Sequence, residues 1–227
     1  MVATATYGAT RARVEDYFDR TATRAWARLT SDARVSGIRQ TVREGRDRMR
    51  ATMLARLPGD LAGLRILDAG CGTGQMTAEL AARGARVVAV DLSPALVGIA
   101  RKRLPEAARD RVTFRTGDML SADLGSFDHV VAMDSLIYYE AGDLGRALAG
   151  LSPRVRRSVL FTVAPKTALL MALWRVGRLF PRADRAPAMI PHDPADLAGK
   201  AALHGAPGRV RAVGRVRRGF YVSTCLE

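Results

Sequence analysis

The sequence has little with which to cross-link itself. Its 227 residues hold two cysteines, Cys71 and Cys225, far apart and without ligand-like neighbours, and three scattered histidines, His129, His192 and His204. A disulfide framework is thereby excluded, and no zinc pattern is completed. Long apolar runs are also missing. The longest, Ala168 to Trp174, is seven residues, against the roughly 20 needed to cross a bilayer. The N-terminus lacks the charged start and apolar stretch of a secretory signal. These absences together point to the cytoplasm. Lysine is scarce as well: of 36 basic residues only Lys102, Lys166 and Lys200 are lysines. An arginine excess of that kind reflects in part a GC-rich codon habit.

What is present suffices for one well-packed domain with a small appendage, since 48% of the residues are hydrophobic and 26% charged. The net charge is +14, and it is unevenly spread. Residues 1–56 hold 12 basic and 6 acidic residues (+6), residues 57–153 hold 10 and 12 (−2), and residues 154–227 hold 14 and 4 (+10). Two basic regions thus flank a neutral middle. Nucleic acid, an acidic membrane surface or an anionic substrate would each suit such a surplus.

The periodicity changes along the chain. Val14, Tyr17, Phe18, Thr21, Ala25 and Leu29 fall at helical spacing over 11–30, and Val35, Ile38, Val42, Met49, Met53 and Leu57 do so over 35–57. We read residues 1–57 as a helical cap. From residue 58 onward short apolar runs alternate with helical stretches. Strands are predicted at Arg65–Asp68, Val87–Asp91, Val112–Thr116, Phe127–Asp134 and Ser158–Val163, with helices over 75–83, from Ser93-Pro94, and over 143–151. Such alternation makes a parallel sheet covered by helices on both faces. Residues 165–208 read as a basic insertion, apolar and helical over Thr167–Phe180, then proline-rich, with a short helix at Asp196–Leu203. Arg209–Val216 and Gly219–Leu226 form an antiparallel hairpin turning at Arg217–Gly219.

The strongest chemical signal is Leu67-Asp68-Ala69-Gly70-Cys71-Gly72-Thr73-Gly74, a strand ending in an aspartate and followed by three alternating glycines that open a helix. Glycine permits positive φ and close approach of a ligand, and a helix N-terminus offers free N–H groups. The dinucleotide fingerprint would require glycine at position 75, where Gln75 stands. The spacing D-x-G-x-G-x-G instead resembles the first motif of Rossmann-like S-adenosylmethionine-dependent methyltransferases. Asp91, with Leu92, closes the second strand, where a carboxylate can accept ribose hydroxyls. Asp118 and Met119 follow the third, placed to accept from an adenine amino group and to cover its ring. Asp134 opens the loop after strand four, at the sheet edge where ligands bind. That loop, Met133 to Tyr139, lacks the Asn/Asp-Pro-Pro-aromatic motif of base-methylating enzymes, which argues against nucleic acid.

Beyond these shared motifs, several segments resemble the magnesium-protoporphyrin IX O-methyltransferase family of bacteriochlorophyll synthesis. They are Tyr17-Phe18-Asp19-Arg20-Thr21-Ala22 with Trp26 and Leu29-Thr30, the loop Met133–Tyr139, the strand Ser158–Thr162, the stretch Val176–Arg182 with Arg185-Ala186-Pro187, and Gly219-Phe220-Tyr221. The resemblance implies an α/β Rossmann-like class I methyltransferase fold, with a mostly parallel seven-stranded sheet, an antiparallel C-terminal edge and an N-terminal helical cap. It implies methyl transfer from S-adenosylmethionine to a porphyrin propionate, with magnesium entering only as part of the substrate and magnesium chelatase as an upstream partner. The family has histidine then tyrosine in the fourth loop, whereas this chain has Tyr138-Tyr139. A carboxylate acceptor is already ionised at neutral pH and requires no general base, so an imidazole is dispensable.

On this reading Tyr17 and Tyr138 position the reactants. Asp68, Gly70, Cys71, Gly72, Gly74, Asp91, Leu92, Asp118, Met119 and Asp134 hold the donor, while Tyr139, Trp174, Arg175 and Arg178 hold the porphyrin. The apolar stretch ending at Trp174 reads equally as a core helix with its arginines in water. It also suits an amphipathic helix on an anionic membrane, which would make the protein peripheral to the photosynthetic membrane. Two other functions remain open: methylation of another small acid or quinone, and non-catalytic porphyrin delivery.

Overall fold

The fold was analysed in a computed structural model that describes residues 7–31, 33–166, 187, 189–206 and 209–227. Trp174, Arg175 and Arg178, and the helix read over Thr167–Phe180, lie outside the described residues.

The parallel strands are β1 (Arg65–Ala69), β2 (Arg86–Asp91), β3 (Val112–Thr116), β4 (Phe127–Ala132) and β5 (Val155–Pro165). The hairpin β7 (Ala212–Arg218) and β8 (Tyr221–Leu226) completes the order β3-β2-β1-β4-β5-β8-β7, with the two-residue β6 (Pro191–His192) beside the end of β5. Register brings the chemistry to one edge: Asp68 lies opposite Ala89 and Val131, and Asp91 opposite Thr116. After β3 the chain crosses back to lay β4 on the other side of β1; both β1–β2 and β1–β4 run parallel, and the carboxyl ends of β1 and β4 open a crevice at this switch point.

Helices cover both faces. On one side are α3 (Gly37–Leu54), α4 (Gln75–Ala82) and α5 (Pro94–Arg103), whose Met49, Met53, Leu80 and Val97 are buried in one core with Ile66 of β1, Val87 of β2 and Val216 of β7. On the other are α6 (Ala141–Leu151) and α7 (Pro194–Leu203), burying Leu144, Leu148, Leu197 and Ala201. Caps set their starts: Ser36 accepts from the Arg39 N–H, Ser93 from that of Leu96 ahead of Pro94, and Asp193 from that of Ala195. Gly45 lets α3 lie on the C-terminal hairpin, because a Cβ there would come within 2.6 Å of the Tyr221 ring.

Several boundaries differ from the sequence reading. The first helical stretch begins earlier, as α1 (Tyr7–Asp16), and passes through a π-helical stretch, Tyr17–Ala22, into α2 (Thr23–Leu29). Apolar periodicity marks a face but not an extra residue per turn. Strand β4 stops at Ala132 rather than Asp134, since Asp134 takes a left-handed conformation with φ 55°. The hairpin turns at Gly219-Phe220, so Arg217 and Arg218 belong to β7. Strand β5 extends beyond Ser158–Val163 at both ends.

Candidate active site

The turn after β1 is clamped from both sides. The N–H groups of Gly70 and Cys71 donate to Val90 O at 2.8 and 2.9 Å. Across the crevice the Ser135 hydroxyl donates to Ala69 O at 2.7 Å. Gly70 sits at φ 83°, and a Cβ on it would lie 2.3 Å from that of Ser135, so both conformation and contact demand glycine. Gly74 caps α4 in a left-handed conformation just outside the cleft.

Three aspartates stand behind or beside this turn. Asp68 is buried and accepts from the Thr77 hydroxyl at 2.5 Å. Burial raises its pKa to about 7, opposed by that hydroxyl and assisted by Asp91. Asp91 accepts from the N–H groups of Gly72 (2.8 Å) and Ser93 (3.0 Å), and burial pushes its carboxyl upward too. Asp118 is held from α1: the Tyr7 hydroxyl and the Leu120 N–H donate to Oδ1 at 2.8 and 2.9 Å, and Arg11 to Oδ2 at 2.9 Å.

Between the turn and the helical cap lies a cleft of about 870 Å³, counting the part open to solvent. Asp68, Gly70, Cys71, Gly72, Asp91 and Leu92 line it on the turn side. Met119, Asp134, Tyr138 and Tyr139 line it from the later loops. Gly74, Asp118 and Tyr17 are not among the lining residues. Tyr17 packs edge-on to Phe18 with ring centroids 5.2 Å apart. Burial holds the Tyr138 phenol above its ordinary value and raises that of Tyr139 to about 12, so both rings present neutral hydroxyls at neutral pH. Tyr139 stacks on Tyr7 at 4.9 Å, and its carbonyl contacts His192 Nε2 at 2.9 Å.

Sequence reasoning assigned no role in the cleft to Phe18, Trp26, Arg46 or Arg50, all of which line it. Phe18 meets Trp26 and Tyr138 edge-on at 5.5 and 6.1 Å. Arg46 is ion-paired to Asp134 and its guanidinium stacks 4.5 Å from the Trp26 ring centroid. Asp134 also accepts from the Tyr221 and Thr162 hydroxyls, each at 3.1 Å to Oδ1. A signal existed: Arg46 and Arg50 interrupt the stripe that contains Met49 and Met53, on a helix read only for its apolar periodicity.

A crevice floored by a glycine turn and two buried carboxylates, roofed by aromatic rings, takes a nucleoside-bearing ligand. Comparison with known proteins decides which family this is. Residues 132–227 match the family described as magnesium-protoporphyrin IX methyltransferase C-terminus, and residues 66–157 match a methyltransferase domain. The magnesium-protoporphyrin O-methyltransferase of Rhodobacter capsulatus is 60% identical over 222 residues, 97% of each chain. The chain belongs to the magnesium-protoporphyrin O-methyltransferase family. A more distant member, the chloroplastic magnesium protoporphyrin IX methyltransferase of Arabidopsis thaliana, is 31% identical over 94% of this chain and 69% of its own. The solved magnesium protoporphyrin IX methyltransferase from Synechocystis PCC 6803 with bound SAH superposes with a TM-score of 0.78 at 30% identity, covering 95% of this chain and 97% of that one. The class I methyltransferase fold expected from the sequence is thereby borne out for this family member.

Proposed function

We infer that the chain esterifies a propionate carboxylate of magnesium protoporphyrin IX with the methyl group of S-adenosylmethionine. The observation that carries this reading is the full-length identity to the Rhodobacter capsulatus enzyme, together with an intact set of donor-facing groups in the cleft. When bound, S-adenosylmethionine supplies a methyl carbon on a sulfonium: the acceptor oxygen bonds to that carbon, the C–S bond breaks with its electron pair left on sulfur, and no proton moves.

The chain's own task is then to orient and to dehydrate. Asp91 and Leu92 suit the ribose end, with Asp118, through Oδ lone pairs not used by α1, and Met119 beside the adenine. Asp68, Gly70, Cys71, Gly72, Gly74 and Asp134 surround the remainder. Tyr138, kept protonated by burial, can donate to the acceptor carboxylate. Tyr17 acts from the cap by seating Phe18, and Tyr139 forms part of the porphyrin wall. Trp174, Arg175 and Arg178 complete the porphyrin site, with the basic C-terminal part offering cations to the second propionate. Magnesium chelatase as supplier and an anionic membrane as resting surface belong to the same reading.

Incubation with methyl-labelled S-adenosylmethionine and magnesium protoporphyrin tests it. Label should appear on the porphyrin and be released as volatile methanol by mild alkaline hydrolysis. No transfer would overturn the assignment. Full turnover by both Tyr17→Phe and Tyr138→Phe variants would remove those two residues from it.

A further inference from the structure

A second cavity, of about 790 Å³ counting the part open to solvent, lies toward the amino ends of β1, β2 and β3, opposite the edge that holds the cleft. Arg65, Arg86, Arg111 and Arg115 line it, together with Asp110 and Asp123. Residues 57–153 carry more acidic than basic residues, yet four of their 10 basic residues meet here. Register explains how. Arg65 at the start of β1 lies opposite Arg86 at the start of β2. Val87 lies opposite Val112, so Arg111 falls beside Arg86. Three arginines thus form a row across adjacent strands at intervals of about 4.8 Å. Thr113 and Arg115 continue the same face of β3, and both are exposed. Between β3 and β4 the chain forms only a three-residue helical turn, Ala122–Leu124, which is too short to cover that face.

Like charges set side by side on a sheet destabilise it, and the fold compensates only some of these. Arg65 donates to the carbonyls of Ser126 and Leu124 at 2.5 and 2.9 Å and stacks on Phe127. Arg115 is ion-paired to Asp123. Arg111 donates only to Ala107 O, within its own turn, at 3.1 Å. Arg86 is exposed, and its guanidinium has no hydrogen-bond or ion-pair partner among the described residues. The lining selects among anionic partners. Asp110 and Asp123 repel a phosphate backbone, and no aromatic ring lines the cavity for bases to stack on. A polypeptide supplies carboxylates for the arginines and N–H donors for the two aspartates. Its contacts run through side chains rather than an added strand, since Arg101 of α5 already donates to the Phe114 carbonyl of β3 at 2.9 Å. We propose that the row Arg65, Arg86 and Arg111, with Arg115, is a docking surface for an acidic segment of a partner protein. A partner held there leaves the cleft at the opposite edge open, so docking and methyl transfer proceed together. The surface is independent of what the cleft holds.

Fluorescence anisotropy of a labelled peptide of alternating glutamate and serine, about ten residues long so as to span the row, tests this on the full chain at low salt. The unaltered protein should bind it. An Arg86→Gln, Arg111→Gln variant should lose roughly five- to tenfold in affinity, as two exposed charge pairs are removed. Because it relieves the row, that variant should melt no lower than the unaltered protein and keep its rate of methyl transfer. Arg86→Lys, Arg111→Lys, which keeps the charge, should stay within about threefold of the unaltered affinity. Arg209→Gln, exposed and outside the groove, should change it by less than about twofold. No binding by the unaltered protein would overturn the proposal. Equal losses from Arg209→Gln and the double glutamine variant would reduce the effect to net charge and overturn it as well. Tighter binding of single-stranded oligothymidylate of the same charge, lost in the same double variant, would give the surface to nucleic acid instead.

Discussion

A carboxyl group buried at the end of a central strand, with one hydroxyl to solvate it, resists ionisation, and Asp68 is held at about 7 on that account. The consequence for stability has a definite sign. A folded-state pKa above the unfolded one means that ionisation costs stability: the loss is absent below about pH 4, grows as pH rises and is complete somewhat above pH 7. A cationic ligand beside Asp68 favours its anion and so expels the proton. Binding of S-adenosylmethionine near pH 7 should therefore release protons, seen as a dependence of the calorimetric enthalpy on buffer ionisation heat, and affinity should rise between about pH 6 and 8. Asp68→Asn should abolish the proton release and raise the ligand-free melting temperature at pH 8. A buffer-independent enthalpy in the unaltered protein would refute the linkage. The aspartate itself was legible in sequence because it sits at a fixed offset from three glycines. Arg46 was legible only as a cation set among Met49 and Met53 on the inward stripe, because nothing in that spacing says that Asp134 and Trp26 meet it there.

Among the elements, α1 is the one whose attachment is easiest to describe and to cut. It is tied to the turn after β3 by the Tyr7 and Arg11 bonds to Asp118 and by stacking of Tyr7 on Tyr139. Arg11 is 42% exposed, so its share is small. Removing both bonds in a Tyr7→Phe, Arg11→Gln variant should accelerate amide exchange across residues 7–16 by about tenfold. Global melting should move by no more than a few degrees. Exchange rates unchanged from those of the unaltered protein would show that Val14 and Thr10, both buried, hold the helix alone. Strand positions and helix placement were readable from period and caps, as at Ser93-Pro94. The π-helical stretch at Tyr17–Ala22 was not, since apolar period does not register it and its contacts reach a distant element: Asp19 accepts from the Ser93 hydroxyl at the start of α5 at 3.0 Å. Asp134 leaving β4 was equally illegible, because its conformation is enforced by Thr162 and Tyr221 from distant parts of the chain.

For the whole molecule the surplus of 14 positive charges acts over distances no single pair defines. Among the described residues no helix is long and apolar enough to cross a membrane. Flotation with anionic liposomes should carry the protein upward at low salt and lose it at high salt, where the Debye length shrinks to about 3 Å at 1 M. Absence from the liposome fraction at low salt would remove the membrane from the reading and leave the basic regions to the porphyrin alone.

Part of that charge stands at the sheet's margin. Strand β7 pairs only with β8 among the described residues, and its exposed Arg215, Arg217 and Arg218 stand along the last rung of the ladder. A bare edge strand is a template for another chain's backbone, and like charges along it repel a second copy before any bond can form. Arg218 is ion-paired with Glu44 of α3, so Arg215 and Arg217 would carry that repulsion. Neutralising Arg215 and Arg217 would leave the cleft untouched while opening the sheet to growth, a route to aggregation that the active site has no means to oppose.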